Sequence, residues 1–327
     1  MNAGRQVRIF RVDAFTSELF TGNPAGVVLD AEALDEREMQ LIAREFGGID
    51  SAFVLPPDAA DHDLRLRFFT PHAESAFVGH ATIAVHAVRA ALGLPACRRQ
   101  KQRSGIVDIG HGAVDIAHGI VDTSAGAATG GSPAREPVFS FRQPPPPVQG
   151  TFEQGRLAAV LEALGIRAAD LDPGCPAVVA GPGGSRLLLC VRGGATLALM
   201  KPVPERLAAL SAAGCPPGYF VYTLAPAVAD CDTEARMFCP AIGIDEDPVS
   251  GNAHALLAMH LHALGRMPVR SGRAAFTGRQ GHHLGRPGRV HVELEQDGPA
   301  VSGVRVAGAA RIVFAAGIAL PGVSAPA

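Results

Sequence analysis

Glu246-Asp247-Pro248-Val249-Ser250-Gly251-Asn252-Ala253-His254 decides the architecture, because the chain contains an echo of it. The stretch follows Phe238-Cys239-Pro240 and opens an apolar segment running to Leu264 through Ala255, Leu256, Leu257, Met259 and Leu261. Earlier, Phe69-Thr70-Pro71 precedes Gly79-His80-Ala81 and a second apolar segment carrying Ile83, Val85, Ala87, Val88 and Ala91. Each copy reads as strand, proline turn, glycine-led loop and a helix apolar on most sides, as a helix enclosed by other structure must be. Such a duplication predicts two similar halves. A glycine at each helix start lets an anion approach free backbone N–H groups. If the halves are related by a pseudo-twofold axis, both helix N-termini point into one cleft, an arrangement suited to a carboxylate substrate.

The neighbouring elements follow from periodicity and punctuation. Val7 to Ala14 reads as a strand, Gly22-Asn23-Pro24 as a turn, and Ala25 to Leu29 as a second apolar run. Asp35 stands where it would cap a helix that places Met39, Ile42, Ala43 and Phe46 on one face and ends at Gly47-Gly48. Ser51 to Leu55 and Leu64 to Phe69 read as short strands, and a helix is expected from His80 to Leu92. Beyond them, strands are expected at Arg186 to Val191, Gly218 to Leu224, Ala235 to Phe238, Arg289 to Leu294 and Val301 to Val306, with a helix from Gly251 to Leu264. Ser124 to Pro133 is a run of Ser, Gly, Ala and Thr, and Pro144 to Pro147 is all proline. Proline cannot donate to a sheet ladder, so this region marks the crossing between halves. The expected division is 1–130 and 131–327, with the last strands free to return to the first half.

Composition excludes several classes of function. The chain of 327 residues is 47% hydrophobic and 18% charged, long enough to expect two domains. Its 29 Lys and Arg against 31 Asp and Glu give no electrostatic footprint for nucleic acid or an anionic membrane. The densest basic cluster, Arg98 to Arg103, is expected as a solvated turn. No stretch has the roughly 18 apolar residues of a spanning helix, and Arg5, Arg8 and Arg11 interrupt any signal-peptide core. Six cysteines without a CxxC pair read as reduced thiols, and the expected location is the cytoplasm.

Three polar residues sit at strand ends or helix starts in apolar surroundings. Asp50 lies between Gly47-Gly48-Ile49 and the strand at Ser51, where apolar neighbours disfavour its charged form and move it towards the range useful for a general base. His80 begins the first enclosed helix, whose positive end disfavours imidazolium and leaves a neutral ring to accept and return protons. Asp247 precedes the second, in a loop stiffened by Pro248. The bland readings are a turn residue, an N-terminal helix residue and a capping carboxylate. No Gly-x-Gly-x-x-Gly, Walker or Gly-x-Ser-x-Gly motif is present. His254, His260 and His262 lack metal-ligand spacing, and His282-His283, set among glycines, is expected on a loop surface, so no metal site is expected.

The ordered motifs resemble the PhzF-like family over roughly residues 7 to 318. Those that carry the resemblance are Val12-Asp13-Ala14-Phe15-Thr16 with Phe20-Thr21-Gly22-Asn23-Pro24-Ala25, Phe69-Thr70-Pro71 with Glu74, and Gly79-His80-Ala81-Thr82. Arg236 through Pro240, Glu246 to His254, Gln280-Gly281 and Gly285-Arg286-Pro287-Gly288 complete the set. The resemblance implies an α+β, diaminopimelate epimerase-like fold: two similar domains, each a curled sheet around a central helix, with the active site between them. It also implies a cofactor-independent isomerase acting on a small carboxylate, without metal, and by fold analogy a homodimer. The family's catalytic glutamate falls on Asp50, its Gly-His pair on Gly79-His80, its aspartate on Asp247, and its serine at the second helix start on Asn252. Asp50 is one methylene shorter than glutamate, and Asn252 keeps a donor but cannot relay a hydroxyl proton. Related cysteine-based racemases carry a thiol just before each glycine; Val78 and Ser250 stand there instead.

The expected function is proton transfer on a small cyclic or unsaturated carboxylic acid. Asp50, His80 and Asp247 are the catalytic candidates, and Gly79, Ser250, Gly251 and Asn252 the substrate-binding ones. The alternative is a non-catalytic small-carboxylate binding protein that has lost the family's glutamate; a hydrolase or lyase using the same carboxylates stands third.

Overall fold

A computed structural model describes residues 5–115, 120–122 and 135–321. The Ser124 to Pro133 stretch therefore lies outside the described residues. Backbone contacts group the chain into two compact units: Met1–Ala113, Asp122–Arg142 and Gly308–Ala327 in one, Val114–Val121 and Gln143–Ala307 in the other.

The first unit is a mixed sheet. Ala310–Leu320 pairs antiparallel with Arg5–Ala14, which pairs antiparallel with Asn23–Leu29. Next come Ser51–Leu55 in parallel, Leu64–Phe69 antiparallel and Arg99–Gln102 in parallel. Gly105–Asp115, antiparallel to Arg99–Gln102, and then Arg135–Gln143 complete the order. The helix Gly79–Ala91 packs on Arg5–Ala14, Asn23–Leu29, Ser51–Leu55 and Ala310–Leu320, and buries nine of its 13 residues. A helix with polar residues on one side could not be enclosed this way; this one is apolar nearly all round. The amphipathic helix Glu36–Glu45 lies between Asn23–Leu29 and Ser51–Leu55 in sequence, its capping box closed by Asp35 and Glu38. Its Met39, Ile42 and Ala43 join a core with Val28, Phe53 and Phe69.

The second unit repeats that order, with the strand senses that run from Ala310–Leu320 to Gly105–Asp115. Val148–Thr151, Val178–Ala180 and Arg186–Cys190 are joined antiparallel, and Tyr219–Thr223 follows in parallel. Thr233–Cys239 is antiparallel to Tyr219–Thr223, and Arg273–Gln280 is parallel to Thr233–Cys239. Gly288–Asp297 and Ala300–Gly308 extend the sheet antiparallel. The helix Gly251–Ala263 again buries nine of 13 residues. The duplication expected from two short motifs thus extends to the whole strand order of each unit.

One local expectation is corrected. Arg98 to Arg103 is no solvated turn: Arg99–Gln102 is a strand pairing with both Leu64–Phe69 and Gly105–Asp115. Side chains alternate across a strand, so Gln100 and Gln102 turn inward while Arg99 stays outside. Gln100 is held there by hydrogen bonds to His86 Nε2 at 2.8 Å and to Gln102 at 3.0 Å.

Candidate active site

In the first unit, Asp50 and His80 come together. Asp50 stands immediately before Ser51–Leu55, and its carbonyl accepts the Gly26 N–H at 2.9 Å, which ties it to the parallel neighbouring strand. Gly47 and Gly48, at φ +73° and +89°, make the left-handed turn that brings the chain out of Glu36–Glu45 to this point. His80 is the second residue of Gly79–Ala91, which packs on that strand pair. The His80 Nε2 lies 3.7 Å from Asp50 Oδ2, beyond direct hydrogen-bond range, with both side chains largely buried. No hydrogen bond holds the Asp50 carboxylate among the described residues, and burial pushes its pKa up to about 6. A carboxylate with this environment is a base near neutral pH, and its lone pairs are not already committed. Val78, at the N-cap of the helix, has no side-chain group to bond the first backbone N–H groups.

In the second unit, Asp247, Ser250, Gly251 and Asn252 share one strand-to-helix junction. Asp247 ends the strand Ile244–Asp247, and Ser250 caps the helix by accepting the Ala253 N–H at 3.3 Å. Gln280, 1% exposed, clamps the loop between them. Its Nε2 donates to the Asp247 carbonyl at 2.6 Å, and its Oε1 accepts the Ser250 N–H at 3.1 Å. Gly281 lets the chain pass close by: a Cβ there would stand 2.6 Å from the Pro248 carbonyl oxygen, and its φ is +87°. His254, fully buried, lies beneath the junction with Nδ1 2.8 Å from the Ser250 carbonyl. Burial drives its pKa down to about 4, so it is a neutral donor to that carbonyl. The Asn252 Oδ1 is shielded from solvent and has no partner among the described residues. A shielded acceptor without a donor is costly unless a ligand supplies one.

Sequence reading missed a device that occurs once in each unit. Arg67 makes two hydrogen bonds to Glu74, at 2.7 and 2.8 Å, and lies 5.1 Å from the Phe69 ring centroid. Arg236 makes two to Glu246, at 2.9 and 2.7 Å, and lies 5.0 Å from the Phe238 ring centroid. Bidentate pairing and stacking fix the guanidinium plane. In each unit this staples the proline turn to the loop leading into the central helix. The signal was available: aligning the two copies superimposes Arg67-Phe68-Phe69 on Arg236-Met237-Phe238. The Gln280 clamp had no such signal: Gln280-Gly281 is among the motifs that carry the resemblance, but nothing in the sequence ties it to a loop 30 positions earlier. A second correction concerns His282-His283. They form a short 3-10 turn, His282–Leu284, half-buried beside Glu234 and not on an open loop surface.

The family described as phenazine biosynthesis-like protein (PhzC-PhzF) matches residues 12–316. The chain is 36% identical to the uncharacterized isomerase YddE of Escherichia coli K12, over 94% of its own length and 96% of the relative's. It is 31% identical to the trans-2,3-dihydro-3-hydroxyanthranilate isomerase of Pseudomonas aeruginosa, over 91% and 94%. A crystal structure of the Bacillus anthracis phenazine biosynthesis protein of the PhzF family superimposes with a TM-score of 0.78 at 25% identity, covering 96% of this chain and 99% of that one. Among the described residues no helix is long and apolar enough to cross a membrane. The fold is α+β and diaminopimelate epimerase-like, and the chain belongs to the phenazine biosynthesis-like PhzC-PhzF family of isomerases.

Proposed function

We propose that this isomerase moves a proton on a small cyclic or unsaturated carboxylic acid, with Asp50 as the base and no cofactor in the chemistry. The observation that carries the reading is the Asp50 carboxylate: buried, free of hydrogen bonds, raised to about 6, and 3.7 Å from an imidazole. Asp50 takes a proton from a carbon activated by conjugation, and the electron pair of the broken C–H bond shifts along the unsaturated system. His80 or Asp247 then delivers a proton at the far carbon, so the product keeps the substrate's atoms. Acid–base groups suffice for such a shift when the developing charge is stabilised. The N-terminal backbone groups at Gly79 and Gly251, with Ser250 and Asn252, are assigned to the substrate carboxylate and its polar substituent. The unpartnered Asn252 Oδ1 suits a hydroxyl or amino donor on the substrate.

The Pseudomonas aeruginosa relative is named for trans-2,3-dihydro-3-hydroxyanthranilate, which makes that compound the first probe. Asp50 is one methylene shorter than the family's glutamate, which sets its carboxylate back by about 1–1.5 Å, a displacement that matters to proton transfer. The compound should therefore be tried in a panel with other unsaturated and cyclic acids. The test is substrate-proton exchange with deuterated water, comparing the wild-type protein with Asp50→Asn. Exchange that rises through an apparent pKa near 6 and disappears in the variant supports the reading. Exchange that survives in Asp50→Asn, or its absence across the panel in the wild type, overturns it.

A further inference from the structure

The second unit also brings Glu234, His282 and His283 together, with one ligating atom from each within 4.8 Å of the others. Glu234 belongs to Thr233–Cys239 and is 1% exposed. A charged carboxylate at that depth needs partners. Its Oε2 accepts the Ala227 N–H at 2.9 Å, and its Oε1 faces His282 Nε2 at 2.5 Å. Those contacts leave two ring nitrogens unexplained. His282 Nδ1 and His283 Nε2 are both shielded from solvent, and neither has a hydrogen-bond partner among the described residues. The two rings are 3.9 Å apart between centroids. Buried nitrogen atoms with nothing to bond are uncommon, and the His283 ring that carries one stands against a ring whose Nε2 already faces the Glu234 carboxylate.

We propose that Glu234, His282 and His283 form a binding site for one divalent transition-metal ion of the zinc type. Two imidazoles and a carboxylate match the ligand preference of zinc, cobalt or nickel better than that of calcium or magnesium. Three protein ligands leave a coordination position for water or another oxygen donor. Donors on bonds of about 2.0–2.2 Å in a tetrahedral site stand roughly 3.3–3.5 Å apart, so the Glu234–His282 pair must open by about 1 Å. The turn that carries both histidines has the hinge for this. It ends at Gly285, at φ +66° and with nothing within 4 Å of its Cβ direction, while Gly281 at its start is packed against Pro248 and Arg286. Two cations face the cluster. Arg236 is neutralised by Glu246, whereas Arg279, in register with Glu234 on the parallel strand, opposes a cation and favours ions that bind imidazole strongly. Sequence reading sought helical ligand spacing, but these ligands come from one strand and one turn.

The test is zinc chloride titrated calorimetrically into the chelator-treated full-length protein, with histidine ring signals followed by NMR. One zinc ion per chain is expected, with shifts of the His282 and His283 ring signals. Affinity should fall at least tenfold in Glu234→Gln and in His283→Gln. Cys175→Ser is the control, because Asp172, Cys175 and Cys190 form another group with metal-ligating atoms, and it should bind zinc as the wild type does. The proposal is overturned if neither ring signal moves in the wild type, or if Cys175→Ser loses binding that His283→Gln retains. The wild-type NMR decides the matter should a variant fail to fold. Because the readout is binding and not turnover, the result is independent of the proton-transfer reading.

Discussion

Asp50 carries a conflict between stability and chemistry that can be measured. An aspartate ordinarily titrates near 3.8, and burial raises this one to about 6. Between those values the folded protein holds a proton that the unfolded chain has released. The contribution to stability is therefore fully present below about pH 4 and is lost as pH rises through 6. A shift of about two units corresponds to at most about 3 kcal/mol above pH 7. Asp50→Asn removes the ionisation while keeping the shape. The variant should be more stable than the wild type by about 1–3 kcal/mol at pH 8, with the difference gone by pH 4, in denaturant unfolding at each pH. A wild type more stable than the variant at pH 8 would mean that the carboxylate is paired in the folded state. The same substitution is expected to abolish proton exchange, which is why the cost is retained.

At the scale of the element, the loop from Asp247 to Ser250 depends on a side chain from a distant strand. Gln280 satisfies a carbonyl at one end and an amide at the other. Gln280→Ala leaves both without their partner, at a cost of about 1–3 kcal/mol. Because the loop carries proposed substrate contacts, kcat/KM should fall at least tenfold while the unfolding free energy drops by no more than that cost. A fall in stability with kcat/KM unchanged would restrict Gln280 to a structural role. The contrast with what sequence revealed is physical. Gly79–Ala91, Gly251–Ala263 and Ser51–Leu55 were legible because burial on all sides, or punctuation by glycine, leaves a mark within a dozen residues. Asp50, His80 and Asp247 were legible as polar residues at element ends, and that is where the structure places them. Arg273–Gln280 was not, because seven of its eight residues, all but Arg273, are at least partly enclosed and no alternation remains. Its Gly278 leaves room for the His254 ring, so only the folded molecule explains why that position is small. The cap of the second central helix is Ser250, a local hydrogen bond that a nearby aspartate obscured in sequence.

At the scale of the whole molecule, the first and last described strands both belong to the first unit. Ala310–Leu320 pairs with Arg5–Ala14 from Arg5 opposite Leu320 to Ala14 opposite Ala310, with one irregularity near Arg11 and Val12. The first strand thus depends on the last for one complete ladder of hydrogen bonds, although some 300 residues separate them. Each lost bond costs about 0.5–1.5 kcal/mol, and Val12 and Ala14, fully buried, would lose cover. A chain ending at Ala309 should therefore fail to fold cooperatively. Loss of the pairing, and not loss of chain continuity, is the cause, which a circular permutant separates. Arg5 and Leu320 are neighbours, so a short Gly/Ser linker can join them. New termini can be opened at Gly298, the exposed left-handed turn between Gly288–Asp297 and Ala300–Gly308. This permutant keeps every strand pair and should melt cooperatively within a few degrees of the wild type by far-UV circular dichroism, while the truncated chain shows no such transition. A truncated chain that melts like the wild type would show that the last strand is dispensable to the first unit.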